Sequence, residues 1–289
     1  MANLKEIRGR ISSISSTMQI TSAMKMVSAA KLKKAQDAIV MLRPYSEKLQ
    51  EIIENVSSTL DQETLSVYAQ PREVKRILFI AVTSNRGLAG AFNSSIIKEV
   101  NAQYQQNTAF EIEVLTIGKK AFDAFRASKK IYNNHSDIYD SLTFEGVANM
   151  AEDVMRDFRQ GVFDEVYLVY NKFLNAATQE VQTEKLLPIT MPEKQEEKNT
   201  IETDYIFEPN RTEILETLIP KSIKTQIYKA ILDSVASEHG ARMTAMHKAT
   251  DNAQALKNDL VIFYNKARQA AITNEILEIV SGAEALKNS

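Results

Sequence analysis

The sequence predicts an α/β protein in which a long antiparallel coiled coil of N- and C-terminal helices is joined to a central α/β domain. Three observations predict it. Both ends are nearly free of glycine and proline, both repeat apolar residues at alternating spacings of three and four, and the middle alternates short β-branched runs with amphipathic stretches. The expected parts are an N-terminal coiled-coil helix at 1–58, an α/β domain at 74–190, a connecting segment at 191–209 and a C-terminal coiled-coil helix at 210–289.

At the N-terminus, Gly9 is the only Gly or Pro before Pro44, so the chain is free to run helical to about Ser57, roughly 80 Å at the usual rise per residue. Leu4, Ile7, Ile11, Ile14 and Met18 form a heptad seam that resumes at Leu32, Ala35, Ile39 and Leu42. Lys25 and Ser28 interrupt it. A local slip in supercoil phase is expected there, with Met24, Met26 and Val27 offering apolar surface on neighbouring faces.

After Pro71 the pattern changes. Arg76 to Thr83 (RILFIAVT) reads as a strand buried on both faces, followed by the loop SNRGLAGAFN and a helix from Asn93 to about Gln105. Glu113 to Ile117, Gly118 and a helix around Lys119 to Ala127 repeat the unit. A third helix is expected from Phe144 to Arg159, then strands at Glu165 to Phe173 and Gln179 to Leu187 that form an antiparallel hairpin turning near Asn175. Such alternation predicts a mostly parallel sheet with helices on its faces, a Rossmann-like arrangement. The charged stretch from Pro188 to Pro209 reads as a surface connection.

From about Lys221 only Gly240 and Gly282 interrupt the chain, and a helix of roughly 100 Å is expected. Met246, Ala249, Ala253, Leu256, Leu260, Phe263, Ala267, Ala270, Asn274 and Leu277 set its seam. Each terminal helix has a narrow apolar stripe that must be buried, and the other terminus is the economical partner. An ordinary helical bundle is the alternative, but its helices would run about 10 to 14 residues between turns, and these segments carry no turn signals.

The 289 residues, 44% of them hydrophobic and 25% charged, suffice for a sizeable core. The absence of cysteine excludes disulfides, thiolate metal sites and a cysteine nucleophile. No apolar run approaches the roughly 18 to 20 residues that span a bilayer, so any membrane role is expected to be peripheral. Charge is uneven. Residues 1–43 carry eight Lys or Arg against Glu6 and Asp37, and residues from Arg211 carry ten basic and nine acidic groups, leaving 44–210 as the acidic part. The basic helix has no aromatic residue in its first 44 positions, which argues against nucleic acid and leaves a solvated face or an acidic protein partner.

The strand, glycine loop and helix at 76–105 invite a phosphate-binding reading. Yet the loop has neither GxGxxG nor GxxxxGK[ST], so its glycines are read as shaping a turn. His135, His239 and His247 are too few and too badly spaced for a metal site, and Glu238 beside His239 points in a different helical direction. No catalytic constellation, cofactor site or metal site is inferred.

The residues LKEIRGRISSISSTMQITSAMKMVSAAKLKKAQ at 4–36 closely resemble the N-terminal signature of the ATP synthase gamma subunit family. ASEHGARMTAMHKATDNAQALKNDLVIFYNKARQAAITNEILEIVSGAEAL at 236–286 resembles its C-terminal signature, and TSNRGLAGAFN at 83–93 its central motif. This resemblance implies a non-catalytic central-stalk rotor that couples ion (proton) flow through a membrane ring to ATP synthesis at beta subunits and regulates their activity. It implies three alpha and three beta subunits around the coiled coil, and an epsilon subunit and the membrane c-ring at the α/β domain. It also implies a peripheral place on the cytoplasmic face of a bacterial membrane. Rotor–stator contacts carry over to Met24, Lys25, Met26 and Val27, to the basic patch Lys31, Lys33 and Lys34, and to Arg242, Arg268, Gln269, Thr273 and Glu275, the last five as polar positions facing the ring. The chloroplast form carries a cysteine-containing insertion that is absent here, and a signature starting at Leu4 without an Arg- and Ser-rich leader points to bacteria. Two other classes fit the pattern alone: an enzyme on a Rossmann-like domain with helical arms, and a free-standing coiled-coil adaptor.

Overall fold

The heptad pattern of the N-terminus builds α1, a continuous helix over Leu4–Ser57, and that of the C-terminus builds α5 over Arg211–Lys287. A computed structural model describes residues 4–57, 67–70, 72–189 and 211–287; the expected connecting segment at 191–209 lies outside them. α5 begins ten residues earlier than Lys221 and runs through Pro220, as α1 runs through Pro44. Each proline removes one backbone donor from its helix. Burial of Leu49 and Ile53 after Pro44, and of Ile219 and Ile223 on either side of Pro220, holds the helices through the defect.

By contacts the chain divides into two units, one holding Met1–Ser28 and Met243–Ser289, the other Ala29–Arg242. In the first, α1 and α5 pair antiparallel: Arg8 Nη2 donates to the Tyr264 hydroxyl at 2.7 Å, and the Thr21 and Thr250 hydroxyls meet at 2.7 Å. From Met246 on, the less exposed positions of α5 here are Met246, Ala249, Thr250, Ala253, Lys257, Leu260, Tyr264, Ala267 and Ala271. That corrects the expected seam. Leu256 and Phe263 are 51% and 50% exposed and Ala270 is exposed too, while Asn274 and Leu277 are exposed because the register puts them past the level of Leu4, where α1 begins. The Thr21–Thr250 bond fixes a register that brings Lys257 and Tyr264 inward, although the apolar count favours their neighbours.

α1 shows the opposite correction. Thr21 and Ser28 are buried and Lys25 is half-buried, so the seam keeps its phase through the polar stretch and no slip occurs. The Ser28 hydroxyl donates to the Met24 carbonyl at 2.7 Å, which satisfies it locally. A lysine at the seam keeps its stem covered and its ammonium in water.

The second unit is built on a five-stranded sheet. Its strands are β1 (Arg76–Val82), β2 (Glu111–Ile117), β3 (Lys130–Asn134), β4 (Glu165–Phe173) and β5 (Gln179–Leu187), in spatial order β3-β2-β1-β4-β5. The first four are parallel and β5 pairs antiparallel with β4. β3 and the 3₁₀ turn Ser136–Tyr139 have no counterpart in the sequence expectation. KIYNN at a sheet edge offers one β-branched and one aromatic residue beside two asparagines, too little pattern to read as a strand.

The sheet's helices are α2 (Phe92–Gln106), α3 (Lys119–Phe125) and α4 (Phe144–Arg159). Alternate residues serve two cores. Ile77, Phe79, Ala81 and Val114 pack with Ile96 and Val100 of α2 and Ala121 and Phe125 of α3. Leu78, Ile80, Val82, Leu115 and Ile117 share the other core with Val147, Ala151, Val154 and Phe158 of α4, with Leu49 and Ile53 of α1, and with Ile219, Ile223 and Ile227 of α5. The terminal helices are therefore part of the sheet's covering. At the carboxyl ends of β1 and β2, Gly118 sits at φ 102°, where a Cβ would fall 2.2 Å from the Thr83 carbonyl oxygen. Only glycine fits that approach.

Candidate functional site

The loop after β1, residues 83–91, is held by its own polar side chains. Ser84 N donates to Asn93 Oδ1 at 3.0 Å, the Ser84 hydroxyl donates to the Arg86 carbonyl at 2.6 Å, and Asn93 Nδ2 donates to the Ser84 hydroxyl at 2.9 Å. Asn85 Nδ2 donates to the Ser136 carbonyl, and its Oδ1 accepts from Lys119 N, both at 2.9 Å. Thr83 Oγ1 accepts from Ala121 N at 2.9 Å. With these groups committed to its frame, the loop presents an apolar tip: Leu88 is 66% exposed and held at φ 62°, an uncommon conformation for a leucine.

Arg242 of α5 is the loop's other support, and here the expectation is corrected. The resemblance implies a polar position facing the ring, whereas the side chain is buried within the second unit. Its Nη2 donates to the carbonyls of Arg86 and Gly87, both at 3.2 Å, and its Nη1 donates to Glu238 Oε1 at 2.5 Å. The physical reason is that a guanidinium fork satisfies two carbonyls and one carboxylate at once, which suits it to a buried junction. Burial pushes the Glu238 carboxyl up, with Arg242, Lys31 and Arg86 pulling the other way. Burial and the charges of Arg242 and Lys31 push His239 down to about 4, so it is neutral and its Nδ1, 3.3 Å from Arg242 Nη1, accepts.

A cleft of about 680 Å³ opens beside this junction, lined in part by Lys31, Lys34, Asn85, Arg86, Tyr139, Asp140, Glu238 and His239. Both signs of charge line it. Lys31, Lys33 and Lys34 are exposed, as expected for a patch, and Lys33 pairs with Asp37 at 2.9 Å, a surface pair worth about 1 kcal/mol or less.

In the first unit, Met26 and Val27 are 65% and 57% exposed while Met24 and Lys25 are half-buried. Arg268, Gln269, Thr273 and Glu275 are exposed, with the Thr273 hydroxyl bonded back to the Gln269 carbonyl at 2.9 Å. With them lie large apolar side chains, each about half exposed or more: Leu256, Ile262 and Phe263 on α5 and Ile20 on α1 outside the seam, and Ile272, Ile276, Leu277, Ile279 and Val280 on the part of α5 past the level of Leu4. Reading the largest apolar residues into the seam hides this outer surface. A second signal was present in the sequence, because α5 has more apolar residues than one two-position stripe can hold.

Nothing in the loop or cleft pairs a nucleophile with a base. Among the described residues no group of three metal-ligating side chains converges, and His247 pairs with Asp251 at 3.4 Å.

A family model described as ATP synthase matches residues 3–286. The ATP synthase gamma chain of Flavobacterium johnsoniae is 60% identical over 286 residues, covering 99% of each chain. That of Cytophaga hutchinsonii is 48% identical over 295 residues, covering 100% of each. Among solved structures, a chain of the central stalk and c-ring of the Tetrahymena thermophila mitochondrial ATP synthase aligns with TM-score 0.57 and 26% identity, over 80% of this chain and 99% of that one. A chain of the Euglena gracilis mitochondrial ATP synthase, from an assembly of OSCP, F1 and c-ring, aligns with TM-score 0.67 and 20% identity, over 98% and 94%.

Proposed function

Because the chain belongs to the ATP synthase gamma-chain family, we propose that it is the central-stalk rotor subunit of an ATP synthase, transmitting torque without catalysing a reaction itself. The observation that carries this reading is the outer apolar surface of the first unit. The paired stretch still presents Ile262 and Phe263 outside its seam, and Ile276 and Ile279 stand exposed on the part of α5 that runs past the level of Leu4, where α1 begins. Patches of this kind mark surfaces that a partner covers. Apolar contact is also non-directional, so a helix pair can turn inside a sleeve without breaking a fixed set of hydrogen bonds.

In the finer reading, three alpha and three beta subunits enclose the first unit, and the epsilon subunit and membrane c-ring meet the α/β domain. Proton flow through that ring drives rotation, and the chain lies peripherally on the cytoplasmic face of the membrane. No helix among the described residues is long and apolar enough to cross a membrane, which fits peripheral attachment through the complex. Met24, Lys25, Met26 and Val27, with Arg268, Gln269, Thr273 and Glu275, supply rotor–stator contacts. The exposed cations Lys31, Lys33 and Lys34 suit an acidic partner segment. Arg242 acts from inside by supporting the 83–91 loop.

Co-expression with alpha and beta subunits tests the assembly: native mass spectrometry is expected to give one copy of this chain per three of each. A chain that remains solitary would overturn the reading. Met26→Lys adds a charge at an exposed position, so it is expected to leave folding intact and to lower ATP-driven proton pumping more than ATP hydrolysis. Equal loss of both in a normally assembled complex would remove Met26 from the contact.

A further inference from the structure

We infer that Ser237–Arg242 of α5 is a clamp that keys the helix against rolling on the α/β body, with Gly240 and Arg242 as positioning residues for torque. The inference rests on the rotor reading and adds the place where rotation of the helix becomes rotation of the body. The apolar contacts of Ile219, Ile223 and Ile227 hold α5 on the sheet, but greasy ridges alone resist rolling poorly because they are non-directional. The next two turns are different.

The Ser237 hydroxyl, fully buried, donates to the Asn171 carbonyl near the end of β4 at 3.0 Å. Three residues on, Gly240 lies against the turn that joins β4 to β5: a Cβ there would come 3.1 Å from the Ala176 carbonyl oxygen and 3.2 Å from its Cα. Arg242, paired with Glu238 one turn before it, holds the carbonyls of Arg86 and Gly87 in the loop after β1. At about 100° per residue, Ser237 and Gly240 share one side of the helix, and Glu238 and Arg242 lie about 150° round from it. The β4–β5 hairpin thus grips one side and the β1–α2 loop nearly the opposite side. A helix held so cannot turn about its axis without moving both.

Gly240 has no other evident reason to be glycine. It stands in the interior of a helix, where glycine is unfavourable relative to alanine. The other helical glycines of α1 and α5, Gly9 and Gly282, have open space where a Cβ would go. The clamp ends at Arg242, where the chain passes at Met243 into the other unit.

The test uses the assembled, membrane-reconstituted complex and reads the ratio of ATP-driven proton pumping to ATP hydrolysis. Gly240→Val, which forces the hairpin away, and Arg242→Lys, which keeps the charge but loses the fork, are each expected to lower that ratio about threefold or more. Gly240→Ala is expected to have a smaller effect, and Gly9→Ala and Gly282→Ala none. Amide exchange in the full-length chain is expected to rise at residues 174–178 in Gly240→Val and at 85–90 in Arg242→Lys. Should Gly240→Val fail to fold, Arg242→Lys carries the test alone. A normal pumping ratio in Arg242→Lys, with wild type assembled and rotating, overturns the clamp but leaves the rotor reading standing. Failure of the wild-type chain to assemble would instead overturn the rotor reading.

Discussion

Asp233 and His239 of α5 titrate in opposite senses. Asp233 is buried beside a groove of about 420 Å³, and burial pushes its carboxyl up to about 6, against the pull of Lys229, Lys172 and Arg43 and with the push of Glu184. Its folded value lies above its ordinary one of 3.8, so its contribution to stability is complete below that value and is lost as pH rises through about 6. For His239 the folded value lies below 6.5, so its contribution is complete above 6.5 and is lost as pH falls toward about 4. The two slopes oppose between about 4 and 6. Asp233→Asn is therefore expected to stabilise the chain at pH 7.5 by an amount on the order of 2 kcal/mol, read as a rise in its thermal midpoint, and to do little at pH 4. A larger gain at pH 4 than at pH 7.5 would contradict this assignment.

At the scale of elements, exposure separates two sets of apolar residues on α5 that the sequence presents alike. Leu256→Ala and Phe263→Ala are expected to cost the isolated chain less than about 1 kcal/mol in denaturant unfolding, because both side chains are half in water already. Leu260→Ala, in the seam, is expected to cost more. The reverse ranking would restore the seam read from the sequence. On the proposed rotor reading a sleeve covers the exposed pair, so the ranking is expected to change within the complex.

Most strands and helices of the α/β body were legible because buried β-branched runs and amphipathic helices each carry their own period; α4 is the clearest case and has a side-chain cap as well, Thr143 accepting from Gly146 N at its start. β3 was not legible because edge strands need little apolar pattern. The seam register was not legible because a hydroxyl pair, Thr21 with Thr250, decides it against the apolar count. Nor was the inward turn of Arg242, since its partners are backbone carbonyls more than 150 positions away in sequence. Gly240 is legible as a mid-helix glycine with no helix end near it, although its contact with the β4–β5 turn is not.

Across the whole molecule, one helix, α5, belongs to both units. In one it lies among the cores and clamps of an α/β body, and in the other it pairs with α1 and leaves an apolar outer surface. Function as a rotor requires the chain to turn within a complex that hydrolyses ATP. The chain has no cysteine, so Asp123→Cys on the exposed side of α3 gives it a single attachment point for a bead. With the alpha–beta assembly fixed to a surface and ATP supplied, the bead is expected to rotate in one direction with three dwells per turn, set by a threefold ring. Steady ATP hydrolysis in a complex that contains the chain, with the bead motionless, would contradict the account.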